Sequence, residues 1–123
     1  MRDFMRPFFI STIAALLLAG AGHAAVAAPY DGAWSVVIYT TRGDCESALR
    51  YTLRIAGNRV LSEDPSYRAS GAVGPSGAIS VTVAQGNRSA SGSGQLSRAA
   101  GRGWWRTSTG QCSGRWTAER RAW

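Results

Sequence analysis

From Gly32 onward the apolar residues recur at every second position, and no stretch sustains the 3.6-residue period of an amphipathic helix. In WSVVIYT, residues Trp34, Val36, Ile38 and Thr40 share one face. In LRYTLRI, residues Leu49, Tyr51, Leu53 and Ile55 share one face, and Arg50, Thr52 and Arg54 the other. Both segments read as half-buried strands. Gly57-Asn58 supplies a two-residue hairpin turn into a short strand at Val60 and Leu61. Next in the chain are a loop at EDPS, a weaker strand over Tyr67 to Val73, a turn at GPSG and the clean alternation of AISVTVA. After a turn at QGN, the run RSASGSGQLS keeps Ala90, Gly92, Gly94 and Leu96 in period, so it reads as a strand rather than a flexible linker. Further strands run through Trp104 to Thr107 and from Cys112 to about Arg121. The pattern predicts an all-β fold, a small antiparallel up-and-down β-barrel of about eight strands whose closure hides the edges.

The first 27 residues stand apart from this pattern. Arg2 and Arg6 make a basic start, Phe8 to Ala19 is apolar but too short to span a bilayer comfortably, and Ala25-Val26-Ala27 has the small residues a signal peptidase needs. The expectation is a signal peptide over residues 1–27, cleaved after Ala27 (alternatively after Ala24), and an exported protein, periplasmic or secreted. An uncleaved anchor helix fits less well, because Ser11, Thr12 and the Gly/His stretch break the apolar run. The remainder, residues 28–123, is a single domain of 123 − 27 = 96 residues with no transmembrane segment of its own.

A domain of that size buries only about 65% of its unfolded surface and benefits from a crosslink. Cys45 and Cys112 are the only cysteines, and in an exported chain they are read as one disulfide. The bond closes a loop of 112 − 45 = 67 residues, which is worth about 4 kcal/mol in the chain-entropy account. It also tests the topology. If strands alternate up and down, the first ends just before Cys45 and an eighth starts at Cys112, so both sulfurs meet at one rim, across the closing seam. Seven or nine strands would separate them.

Composition narrows the chemistry. His23, both methionines and all three phenylalanines lie in the leader, and there is no lysine anywhere. The mature domain thus lacks a histidine base, a Schiff-base lysine and a zinc ligand set, and no metal or cofactor is expected. Its twelve arginines against six carboxylates leave 12 − 6 = +6. That charge favours anionic partners such as nucleic acid, lipid head groups or acidic polysaccharide. Glu63 and Asp64 in EDPS read as a solvated turn rather than a cation site.

The tryptophans raise the question of core or surface. Trp34, Tyr51 and Trp116 fall on inward positions, and the small residues Ala90, Gly92, Gly94 and Leu96 leave room that Trp104 is expected to fill. The structural core is accordingly assigned to Trp34, Tyr51, Trp104 and Trp116, since side chains normally fill so narrow a barrel. Adjacent strand residues face opposite ways, which sends Trp105 outside and Arg106 inward or towards a rim. A candidate binding surface of Tyr39, Arg50, Arg54, Trp105 and Arg115 results, able to stack on rings and pair with carboxylates or phosphates. Ordinary cross-strand contacts on a solvated face would produce the same pattern.

The segments DGAWSVVIYTTRGDC, YTLRI, SGAVGPSGAISVTVAQGNRSASGSGQL and CSGRWTAERR together resemble a widespread set of small exported proteins of Gram-negative bacteria, largely uncharacterised, some labelled with adhesion or haem utilisation. No histidine or methionine remains in the mature chain to ligate haem iron. At the level of fold the chain also resembles eight-stranded barrels such as lipocalins, avidins and periplasmic inhibitors of metalloproteases. The lipocalin likeness implies that Gly32-Ala33-Trp34 opens the barrel and that Arg120 lies against Trp34. The inhibitor likeness implies a flexible APYDG segment entering a protease cleft.

The function expected is a non-enzymatic binding or interaction module that recognises an anionic envelope component or a protein through its outer arginine and aromatic face. A protease inhibitor on the same barrel and a small-ligand carrier are the alternatives. Nucleic acid is not expected as the partner of an exported chain.

Overall fold

The computed structural model describes residues 28–122. The expected leader and Trp123 lie outside the described residues. Eight strands occur in chain order: β1 Gly32–Arg42, β2 Ala48–Ala56, β3 Arg59–Ser62, β4 Arg68–Val73, β5 Ala78–Gln85, β6 Arg88–Leu96, β7 Ala100–Thr107 and β8 Ser113–Ala122. Each pairs antiparallel with the next, and β8 returns to β1 to close the barrel. The hairpin between β2 and β3 turns at Gly57 and Asn58, both with positive φ (58° and 66°), as a tight two-residue turn requires.

The seam matches the expected topology. β1 and β8 pair from Ala33 opposite Ala122 to Arg42 opposite Ser113. Cys45 and Cys112 are joined across that seam at one rim, with Cα atoms 6.3 Å apart. At the opposite end, the floor, the residues just before β1 are folded under the barrel. Tyr30 packs against the core and its carbonyl accepts a hydrogen bond from Trp34 Nε1 at 2.9 Å. The Asp31 carboxylate accepts from the Gly57 and Asn58 amides at 3.0 and 3.4 Å, tying the floor to the β2–β3 turn. Arg120 completes this end. Its guanidinium lies 5.6 Å from the centre of the Trp34 ring and donates to the carbonyls of Asp31 and Arg98.

The core follows the two-residue period. Trp34, Leu53, Ile55, Val60, Val73, Ile79, Leu96, Trp116 and Ala118 are buried, and Tyr51 packs on them from the rim side. The tryptophan assignment on β7 is reversed. Trp105 is 8% exposed and belongs to the core, whereas Trp104 is 68% exposed on the outer wall, and Arg106 also faces out. Gly101, Gly103, Trp105 and Thr107 are the inward set. The room left by the small residues of β6 is taken by Trp116 instead, whose indole lies across glycines of two strands. A Cβ on Gly94 would come within 2.6 Å of that ring, and one on Gly103 within 2.7 Å. Trp116 Nε1 donates to the Trp104 and Ser93 carbonyls at 3.2 and 3.3 Å, which meets the need of a buried indole N–H. Trp105 Nε1 reaches the Tyr39 carbonyl at 3.0 Å, beside the register shift between β1 and β8.

One stretch of backbone is satisfied by a side chain. β3 is short, and its last pair with β2 is Ser62 opposite Leu53, so Thr52 has no ladder partner on that side. The Tyr67 hydroxyl takes its place, accepting from the Thr52 amide at 3.1 Å and donating to the Thr52 carbonyl at 2.6 Å. Its ring meets Tyr51 edge-on, 4.9 Å between centres. Burial pushes the Tyr67 phenol above the ordinary tyrosine value, and the bond to Thr52 opposes this.

Tyr67→Phe should therefore cost about 1–2 kcal/mol by denaturant titration near neutral pH. A phenol raised in the folded state stabilises fully below the unfolded value, about 10, and loses that contribution as pH rises through its folded value. The gap between wild type and variant should narrow above about pH 10, and a gap constant with pH would contradict the assignment.

Candidate functional site

The alternation that buries Trp105 places three cross-strand rows on the outer wall. In the middle row Ser80 of β5 faces Ser93 of β6, then Trp104 of β7, Arg115 of β8 and Tyr39 of β1. Towards the floor the row is Gln95, Arg102, Thr117, Val37 and Arg50. Towards the disulfide rim it is Thr82, Ser91, Arg106, Ser113 and Arg42. Neighbours along a row are about 5 Å apart, close enough for their side chains to act on one ligand.

Arg42 owes its place to an irregularity. Continued alternation from Trp34, Val36, Ile38 and Thr40 would turn residue 42 inward. The register shifts between Thr40 and Arg42, so Arg42 pairs with outward Ser113 and is itself exposed. A bulge of this kind re-aims a side chain without ending the ladder.

Of the five residues expected on the surface, three come together and two do not. Arg115 lies over the Tyr39 ring, its guanidinium carbon 4.3 Å from the ring centre. Arg50 is on the adjacent strand and donates to Ser35 Oγ at 3.4 Å. Trp105 is inside, and Trp104, one residue away, stands in its place beside Arg115. Arg54 faces outward nearer the floor and is bound to the Glu63 carboxylate, which neutralises it. An exposed pair of that kind is worth less than about 1 kcal/mol, but it takes Arg54 out of the surface.

Sequence reasoning missed Trp104, Arg102, Arg106 and Arg42. For the first three a signal existed: Arg102, Trp104 and Arg106 share one parity, and two guanidiniums cannot enter a barrel this narrow, so Trp104 goes outside with them. For Arg42 no signal marks the bulge.

The electrostatics are one-sided. Glu119 is the only carboxylate in the eight strands, it lies one step below the three rows, and it pairs with Arg121 at 3.3 Å. The arginines of the rows thus face no carboxylate within them. Beside Trp104 the wall sinks into an open depression of about 520 Å³, lined among others by Ser80, Ser91, Ser93, Arg106 and Arg42. A smaller one of about 430 Å³ lies further round, by Arg59, Ser70 and Thr82. The chemistry available is therefore ring stacking, bidentate pairing with anions and hydroxyl hydrogen bonds.

No protein-family model, curated protein or solved structure matches this chain.

The two adjacent tryptophans should behave oppositely. Trp105→Ala should lower stability by about 3–5 kcal/mol, while Trp104→Ala should change it by less than about 1 kcal/mol. Thermal or denaturant unfolding of the two variants checks this, and equal losses would refute the inside/outside assignment.

Proposed function

We propose that this chain is an exported, non-enzymatic binding module that holds an anionic partner on the outer wall of its barrel. The observation that carries the reading is the row Trp104, Arg115 and Tyr39, flanked by Arg102, Arg106, Arg42 and Arg50, with no carboxylate among its members. A soluble protein that leaves a tryptophan two-thirds exposed among uncompensated guanidiniums forgoes burial and charge neutralisation at the same spot. Both are recovered when an anion with an apolar face covers it.

Export is supported by the leader and by the disulfide, which belongs to an oxidising compartment. Among the described residues no helix is long and apolar enough to cross a membrane. Binding rather than catalysis is supported by the inventory of side chains: the three rows offer donors and rings, and Glu119, the one carboxylate in the strands, is paired with Arg121.

The alternatives draw less support. An inhibitor working through APYDG would need that segment free, yet Tyr30 and Asp31 are tied into the floor. A carrier would need interior space, and indoles occupy the floor half and the middle of the barrel.

The test is a titration of the mature protein with a flexible polyanion. Binding should weaken steeply between about 50 and 200 mM salt as the pairing charges are screened. Trp104→Ala combined with Arg115→Ala should reduce affinity at least tenfold, a loss of about 1.4 kcal/mol, whereas Arg54→Ala should leave it unchanged. Unaltered binding by the double variant would refute the assignment of this face.

A further inference from the structure

We infer that the anionic partner is an acidic polysaccharide and that the depression beside Trp104 is its sugar subsite. This rests on the reading of the outer wall as an anion-binding face, and it adds the chemistry of the depression to that of the arginines.

A site built only for a carboxylate or phosphate needs donors, because such groups accept. The floor of this depression is different. Ser80, Ser91 and Ser93 project from the outer faces of adjacent strands, with Ser80 opposite Ser93 and Ser91 beside Arg106 in the next row. Strands lie about 4.8 Å apart and same-face residues about 7 Å apart along a strand, so these hydroxyls are spaced within the span of a single sugar ring and its neighbour. A serine hydroxyl both donates and accepts, which is what the hydroxyls of a pyranose ring require. Small side chains also keep the floor low enough for a ring to lie on it.

Two walls complete the subsite. Trp104 stands at one edge, opposite Ser93, with 68% of its surface exposed. The negative face of an indole attracts the slightly positive C–H groups on the flat side of a sugar. At the rim edge Arg106 and Arg42 sit on either side of Ser113, the second turned outward by the bulge. Two guanidiniums there suit the carboxylate of a uronic acid, since each can pair with both oxygens at once.

Other polyanions fit these features less well. A single-stranded nucleic acid needs several rings for successive bases, and here Tyr39 is covered by Arg115. A lipid surface needs contiguous apolar area, whereas the large exposed hydrophobic residues among the described residues, Trp104, Leu61 and Leu49, stand on three different strands.

The experiment uses the disulfide-bonded mature chain and calorimetric titration at fixed ionic strength. The probes are an oligogalacturonate, polyglutamate of matched charge, a neutral galactose oligomer, a single-stranded DNA oligonucleotide and vesicles containing anionic phospholipid. We expect the oligogalacturonate to bind at least tenfold more tightly than polyglutamate and than the neutral oligomer. The double variant Ser91→Val and Ser93→Val should lose at least fivefold for the uronate and nothing for polyglutamate. Valine is at home on an exposed strand, and the comparison of probes on the wild-type protein stands without the variant. Equal affinity for uronate and polyglutamate would overturn the sugar subsite and leave the anion-binding face intact. Tighter binding to DNA or vesicles would overturn it in favour of that partner, and no binding to any polyanion would overturn both readings.

Discussion

The closure of β8 onto β1 is the constraint on which the rest of this structure depends. A sheet of eight short strands that stayed open would expose two unpaired edges and the inner face of an already small core. Closed, every strand has two neighbours, and the inward positions of all eight face one another across a narrow interior. The Cys45–Cys112 bond holds this seam at the rim, and Arg120 of β8 holds it at the floor by lying on Trp34 of β1 and reaching the backbone of Asp31. The two ends of the seam are thus secured by different chemistry, one covalent and one a cation on an aromatic ring.

Closure also dictates how large side chains are distributed. The interior is too narrow for several indoles at one level, so glycines on β6 and β7 give way where Trp116 crosses them. Trp34 sits lower and Trp105 nearer the rim, so the three rings occupy different levels of the barrel. The exposed Trp104 follows from this arrangement. With Gly101, Gly103 and Trp105 inside, the alternation of β7 gives Arg102, Trp104 and Arg106 to the outer wall together. The proposed binding surface and the core are two faces of one strand register.

Much of this was legible in the chain itself. The two-residue period, the turns at Gly57-Asn58 and Gly74 to Gly77, and the cysteines placed after the first strand and before the last imply an even-stranded barrel stapled across its seam. Tyr39, Arg50 and Arg115 were recognisable as outward neighbours because alternation on β1, β2 and β8 is unambiguous. Alternation on β7 is not, since two tryptophans are adjacent and either parity buries one of them. The flanking arginines separate the two parities: the one that buries Trp104 carries Arg102 and Arg106 inward, where guanidiniums lose their hydration, and the observed one keeps both in solvent.

Local sequence, then, determined the strands, their turns, the crosslink and the net positive charge, because each depends on residues close together in the chain or on composition alone. The tertiary structure decided that the Trp116 indole filled the room beside the β6 glycines, that Arg42 turned outward at a bulge, and that serines of β5 and β6 came to lie beside an exposed ring on β7. Those outcomes depend on register across strands and on how much volume a closed interior accepts. They are properties of the assembled barrel, and no single strand carries them.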